Sequence, residues 1–157
     1  MALLIGEYES MIDAKRRLAI SATLREQIDP KEDGKDFILV LGPDHHLWLY
    51  PDRYYRRLLA TLRRSPLPDR QTRKIDLLFA MARPLKCDAQ GRVVLPDKSM
   101  QRATVGEQVT LAGVLDHIEI WPNEEWEKHV QDGLASYGEV LYEAADRMRT
   151  ENGASPP

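Results

Sequence analysis

Cysteine is almost absent from this chain: Cys87 stands alone, so no internal disulfide can form and no thiolate cage can hold a metal. Long apolar stretches are missing as well. The longest is the six-residue run Leu77 to Ala82, where a membrane span takes about 20 residues and a signal peptide a basic start before its apolar stretch. Neither membrane insertion nor secretion is expected, and the cytoplasm is the default compartment. No glycine-rich phosphate loop occurs. With 157 residues the chain holds one full core or two half-size units, too little for a multidomain enzyme. What remains is 43% hydrophobic and 30% charged, a balance that folds rather than one that stays disordered.

The net charge of −3 conceals a division along the chain. Residues 1–102 carry 19 Lys and Arg against 14 Asp and Glu, whereas residues 103–157 carry 3 against 11. Within 51–92 there are 11 basic residues and 4 acidic ones. A nucleic-acid partner is therefore compatible with the acidic overall pI of 5.8, although a solvated basic face would give the same count.

The chain also repeats itself. Asp13-Ala-Lys-Arg-Arg17 and Asp88-Ala-Gln-Gly-Arg92 share a pattern at an offset of 75, and His46-Leu-Trp-Leu-Tyr-Pro51 and His117-Ile-Glu-Ile-Trp-Pro122 share another at 71. Copy one thus has a connection four residues longer, which the polar stretch Asp29 to Lys35 accounts for. Each copy reads as strand, turn, strand, short helix, hairpin and helix. Strands are expected over Gly6 to Ile12, Leu18 to Ile20, Phe37 to Leu41 and Leu47 to Tyr50 in copy one. Copy two places them over Leu85 to Cys87, Val93 to Leu95, Val109 to Leu111 and Ile118 to Trp121. Ser21, Asp52, Asp97 and Asn123 are expected as N-caps.

Units of about 45 residues bury too little surface to stand alone. The two must pack together, and interleaved hairpins making one shared β-barrel would do so while leaving few strand edges open. The fold class is α+β with a mainly β core.

Two helical faces stand out. Over 52–64, Tyr54, Tyr55, Leu58, Leu59 and Leu62 share one side, and Arg53, Arg56, Arg57, Arg63 and Arg64 the other. That arginine face suits phosphates, a solvated surface, or salt bridges to an acidic neighbour such as the C-terminal segment. In that segment Trp126, Val130, Leu134, Tyr137, Leu141, Ala145 and Met148 mark one amphipathic helix over 124–149 that needs a partner face. Residues 151–157 read as a frayed tail.

The D-x-x-x-R turns carry the chemistry. An aspartate at the first turn position accepts backbone N–H bonds, and Gly91 supplies a positive φ. Asp13, Asp88 and Gly91 are thus turn-structuring. Arg17 and Arg92 leave the turns at strand starts, where each either staples its hairpin to the aspartate or reaches a phosphate or guanine edge, beside Lys15 and Arg16. Arg16 occupies the position of Gly91, at a cost on the order of 1 kcal/mol if it shares the positive φ.

Together, Gly6-Glu-Tyr-Glu with Asp13 to Arg17, Leu47 to Pro51, Asp88 to Pro96 and Asp116 to Trp121 resemble the MraZ family over residues 3 to about 130. Ser21, where the family commonly has proline, departs from its pattern. The resemblance implies tandem AbrB/SpoVT-type swapped-hairpin units forming a pseudo-two-fold β-barrel with flanking helices. The units would cover 3–55 and 83–126, with a helical connection over 56–82, a C-terminal helix over 127–150 and a tail over 151–157. It further implies ring-shaped homo-oligomers, location at the nucleoid, and transcriptional regulation through double-stranded DNA upstream of the division and cell-wall gene cluster. Lys15, Arg16, Arg17 and Arg92 are the expected DNA contacts. Neither a cofactor, a metal nor a small-molecule substrate is expected.

Two other readings compete. Asp44-His45-His46 with Asp116-His117 could bind zinc or exchange protons in an enzyme, but no third ligand or nucleophile has supporting spacing. An AbrB-type antitoxin or a structural ring holding a protein partner is the second, and the duplication argues against the antitoxin.

Overall fold

The computed structural model describes residues 1–62 and 66–153. Arg63 and Arg64 of the expected arginine face, and residues 154–157 of the expected tail, lie outside them. Contacts divide the chain into one compact unit, Met1–Asn123, and a second from Glu124 onward.

In the first unit β1 (Leu4–Met11) turns into β2 (Arg17–Ala19) and the short helix α1 (Ala22–Glu26), followed by the hairpin β3 (Phe37–Leu41) and β4 (Leu47–Pro51) and by α2 (Asp52–Ala60). A 3-10 turn, Arg73–Ile75, and α3 (Asp76–Ala80) lead to the second copy. Its elements are β5 (Arg83–Leu85), β6 (Arg92–Val94), α4 (Asp97–Arg102), β7 (Gln108–Leu115) and β8 (His117–Pro122).

Six strands form one antiparallel sheet in the order β1-β7-β8-β4-β3-β5, and β2 and β6 pair separately. Exchanging the copies reverses the six-strand order onto itself. The first strand of each copy therefore lies against the hairpin of the other. Trp48 pairs with Glu119 on β4 and β8, and Leu18 with Val93 on β2 and β6. Both are repeat-equivalent pairs, at offsets of 71 and 75, so one pseudo-two-fold axis passes between the members of each.

The expected barrel is not closed. Among the described residues, β1 and β5 are the two edges of an open sheet. The reason is length: β2 and β6 are three residues each, too short to hydrogen-bond across to both edges. They swing over one sheet face instead and cover it. Leu18, Ile20, Val93 and Leu95 point inward and share a core with Leu39, Leu47, Leu49, Leu111, Ile118 and Ile120. The alternation of β4, with Leu47 and Leu49 buried, leaves Trp48 and Tyr50 on the other face.

The long connection of copy one caps α2. The Asp33 carbonyl accepts the N–H groups of Arg53 at 3.0 Å and Tyr54 at 3.2 Å, two of the donors a helix start leaves open. Asp52, Asp97 and Asn123 are not N-caps but first helical residues, after Pro51, Pro96 and Pro122, and Ser21 holds its N-cap position without a side-chain bond.

In the second unit the expected single helix is two: α5 (Asn123–Leu134) and α6 (Tyr137–Glu151). Gly133 weakens the helix, and Ser136 becomes the N-cap residue of α6. Leu134, Tyr137, Val140, Leu141, Tyr142 and Met148 are all exposed.

Leu18 is fully buried on the pseudo-axis. Leu18→Ala is expected to cost about 2–5 kcal/mol of unfolding free energy, read as a lower urea midpoint with an unchanged slope.

Candidate nucleic-acid interface

Both D-x-x-x-R segments fold into the same turn. Asp13 Oδ1 accepts the backbone N–H of Lys15 and of Arg17, each at 2.9 Å, while Oδ2 accepts Arg17 Nε at 2.6 Å. Asp88 repeats the set with Gln90, Arg92 and Arg92 Nε, all at 2.9 Å. Backbone bonds Arg16 N–H to Asp13 O and Gly91 N–H to Asp88 O, at 2.9 and 3.0 Å, close the loops. The backbone N–H of the following arginine, with its guanidinium, outweighs partial desolvation and holds both aspartates below the usual carboxylate range. Both turns require a left-handed residue: Gly91 has φ 79° and Arg16 adopts φ 61°. The first turn therefore keeps the geometry of the second and carries the strain.

The side chains then divide by face. On the β2–β6 ribbon Leu18 and Val93 face the core, so Arg17, Ala19, Arg92 and Val94 face outward. Arg17 sits opposite Val94 and Arg92 opposite Ala19, a diagonal that separates the two arginines by about 7–8 Å at the backbone. Each is stapled through Nε, leaving its Nη donors without a hydrogen bond to another described residue. Stapling and display thus coexist, because the bond to aspartate uses one edge of the guanidinium. Lys15 is exposed at the tip of the first turn. Arg16, although exposed, is folded back: its Nε donates to Leu95 O at 3.0 Å.

The arginines of α2 are largely committed elsewhere. Arg53 donates to Lys31 O, and Arg57 to Glu32 O and to the buried Asp33 carboxylate at 2.8 Å. Their acidic neighbour is the long connection of copy one. Arg25 is a residue that sequence reasoning missed. Its Nε donates to Ile20 O at 3.0 Å and its guanidinium lies over Gly91.

His46 and His117 belong to the opposite sheet face, whereas His45 is a left-handed residue of the turn between β3 and β4. His46 stacks on Trp121 and His117 on Trp48, both with centroids 3.9 Å apart. His117 Nδ1 meets Asp116 Oδ1 at 2.9 Å and Nε2 meets Glu119 Oε2 at 2.8 Å. Tyr54 of α2 donates to the other Asp116 oxygen at 2.6 Å. Burial opposes charge on His117, but Glu119 and Asp116 win and raise its pKa above 6.5. Asp116 and Glu119 are correspondingly lowered: burial opposes their charge, and the hydrogen bonds from His117 prevail. This cluster ties α2 to the sheet through packed and paired groups.

Comparison with known proteins agrees with the duplication. A sequence model of the family described as "MraZ protein, putative antitoxin-like" matches twice, over residues 3–77 and 78–147. The transcriptional regulator MraZ of Herpetosiphon aurantiacus is 37% identical over 142 residues, covering 90% of this chain and 95% of that one. The transcriptional regulator MraZ of Clostridium tetani is 34% identical over 88% of this chain and 94% of its own. That of Carboxydothermus hydrogenoformans is 31% identical over 92% and 98%.

Two outcomes follow from this geometry. Arg16→Ala loses the bond to Leu95 O and keeps the strain, costing about 1 kcal/mol; Arg16→Gly relieves strain of similar size and should melt close to the parent. For His117, a raised folded pKa gives stability that is full below 6.5 and lost as pH rises through the folded value, while its carboxylate partners need a pH above about 4.5. The melting advantage of the parent over His117→Gln is therefore greatest near pH 5–6 and shrinks toward pH 8.5 in differential scanning calorimetry.

Proposed function

The chain belongs to the MraZ family, and from that membership we propose that it is a DNA-binding transcriptional regulator whose β2–β6 ribbon reads duplex DNA. The observation that carries the reading is the common outward face of Arg17 and Arg92, held by identical turns about a pseudo-two-fold axis. A two-stranded ribbon fits a major groove about 12 Å wide. Ala19 and Val94 share that face beside the arginines, uncharged and shorter than they are, and let the arginines reach the bases. The Nη donors match guanine edges or phosphates, and Lys15 at the turn tip matches a phosphate. Arg16 contributes through the turn more than through DNA, since its side chain is held by Leu95 O.

In this reading residues 3–55 and 83–126 are two AbrB/SpoVT-type units, 56–82 connects them, 127–150 forms a helical arm and 151–157 a tail. The operator is the promoter of the division and cell-wall gene cluster, as the family resemblance implies. Copies of the chain assemble into a ring through apolar faces such as Leu58 with Leu62 and Leu134 with Leu141, all exposed here. The protein works at the nucleoid in the cytoplasm, without cofactor or catalysis.

The test is fluorescence anisotropy against the DNA upstream of its own gene and a scrambled duplex, at several salt concentrations. Arg17→Ala with Arg92→Ala should abolish the preference for the upstream duplex while the melting temperature moves by no more than about 3 °C, because exposed ion pairs add little to folding. Each phosphate contact removed flattens the slope of log K on log salt by about 0.9. Unchanged affinity in a folded double variant overturns the assignment, and unfolding of that variant makes the arginines hairpin staples alone.

A further inference from the structure

The two turns are held in equivalent ways by arginines that are not equivalent in the repeat. Ile20 N–H donates to Gly91 O and Leu95 N–H to Arg16 O, both at 2.8 Å and related by the offset of 75. The carbonyls of the same two residues, Ile20 and Leu95, each accept an arginine Nε at 3.0 Å. At Leu95 that arginine is Arg16, the left-handed residue of turn one itself. At Ile20 it is Arg25, which reaches in from α1, and the left-handed residue of turn two is Gly91.

Space explains the exchange. A Cβ on Gly91 would run into the Arg25 guanidinium, so a side chain at 91 and the guanidinium in this place exclude one another. The counterpart of Arg25 in copy two is Met100, which packs against the core and leaves room for the side chain at position 16. One guanidinium occupies each site, supplied from the turn in one case and from the facing helix in the other.

We propose that Arg25 is the positioning residue of the second turn: by filling the space over Gly91 and binding Ile20 O, it fixes the turn that presents Arg92. The proposal rests on the DNA-reading role of the ribbon for its effect on affinity, but the latch itself is independent of DNA. Arg25 also lines an open cavity of about 450 Å³ together with Asp88 and Ala89, so direct contact with a phosphate is the alternative to exclude.

A double-variant cycle tests this. Arg25→Met copies the residue found at position 100, Gly91→Arg copies the residue found at position 16, and the combination rebuilds at turn two the arrangement of turn one. Thermal melting and anisotropy with the upstream duplex are measured for the parent, both single variants and the pair, below every melting midpoint. Arg25→Met is expected to weaken binding about three- to tenfold, the scale of one hydrogen bond, with the salt slope unchanged. Gly91→Arg should weaken binding at least as much, and the pair should return to within about twofold of the parent, with a melting temperature above that of Gly91→Arg alone. If Gly91→Arg does not fold, folding of the pair is the rescue.

Parent-like binding by Arg25→Met, or losses in the pair that simply add, would overturn the proposal. A slope flattened by about 0.9 in Arg25→Met would make Arg25 a phosphate contact instead. If the parent itself fails to prefer the upstream duplex, the DNA reading falls, and the melting cycle alone then decides the latch.

Discussion

Neither copy of the repeat owns a complete sheet, and the rest of the structure depends on that constraint. Among the described residues, the strand β1 of copy one has its ladder with β7 of copy two, and β5 of copy two pairs with β3 of copy one. A unit of about 45 residues could not cover its own apolar face, so the strands are exchanged and the two hairpins meet in the middle through β4 and β8. The ribbon β2–β6 closes the core on one side, because its inner positions are Leu18, Ile20, Val93 and Leu95. Its outer positions are consequently fixed by alternation. An arginine next to Leu18 and another next to Val93 have no choice but to face away from the core together.

The pseudo-symmetry is kept at the ribbon and relaxed elsewhere. Turn one bears a strained arginine and turn two a glycine, yet the hydrogen bonds coincide within a few tenths of an ångström. Copy one alone carries the longer connection, and its Asp33 caps α2 and binds Arg57. On the far face the equivalent histidines both stack on aromatic rings, and both ring nitrogens of His117 are bound by Asp116 and Glu119. A duplicated unit whose core is closed by one shared ribbon can vary in everything that does not move that ribbon.

Much of this was legible in the sequence for local reasons. The offsets of 75 and 71 identify the repeat, and alternation identifies β3, β4 and β8 to within a residue or two. An aspartate four residues before an arginine already implies the turn, and the left-handed φ of Arg16 follows from alignment with Gly91. The open sheet was not legible, because strand length decides closure and boundaries of three-residue strands are blurred in sequence. The break between α5 and α6 hides in a continuous apolar periodicity, with only Gly133 and Ser136 marking it. Arg25 left no signal, since its partner Ile20 O is a backbone atom and its contact with Gly91 crosses between the copies. The stacking of His46 and His117 on tryptophans left no signal for the same reason: the partners are brought together by the β4–β8 pairing.

The most direct measurement places a photo-crosslinking residue at Val94, beside the two arginines on the outer ribbon face, and in a second protein at Arg56 on α2. Both are irradiated with the upstream duplex at moderate salt. Adducts from position 94 that are lost with a scrambled duplex, and little or none from position 56, are the result that a reading ribbon requires. Sequence-dependent adducts from position 56 with none from position 94 would contradict it and move the DNA to the helical face.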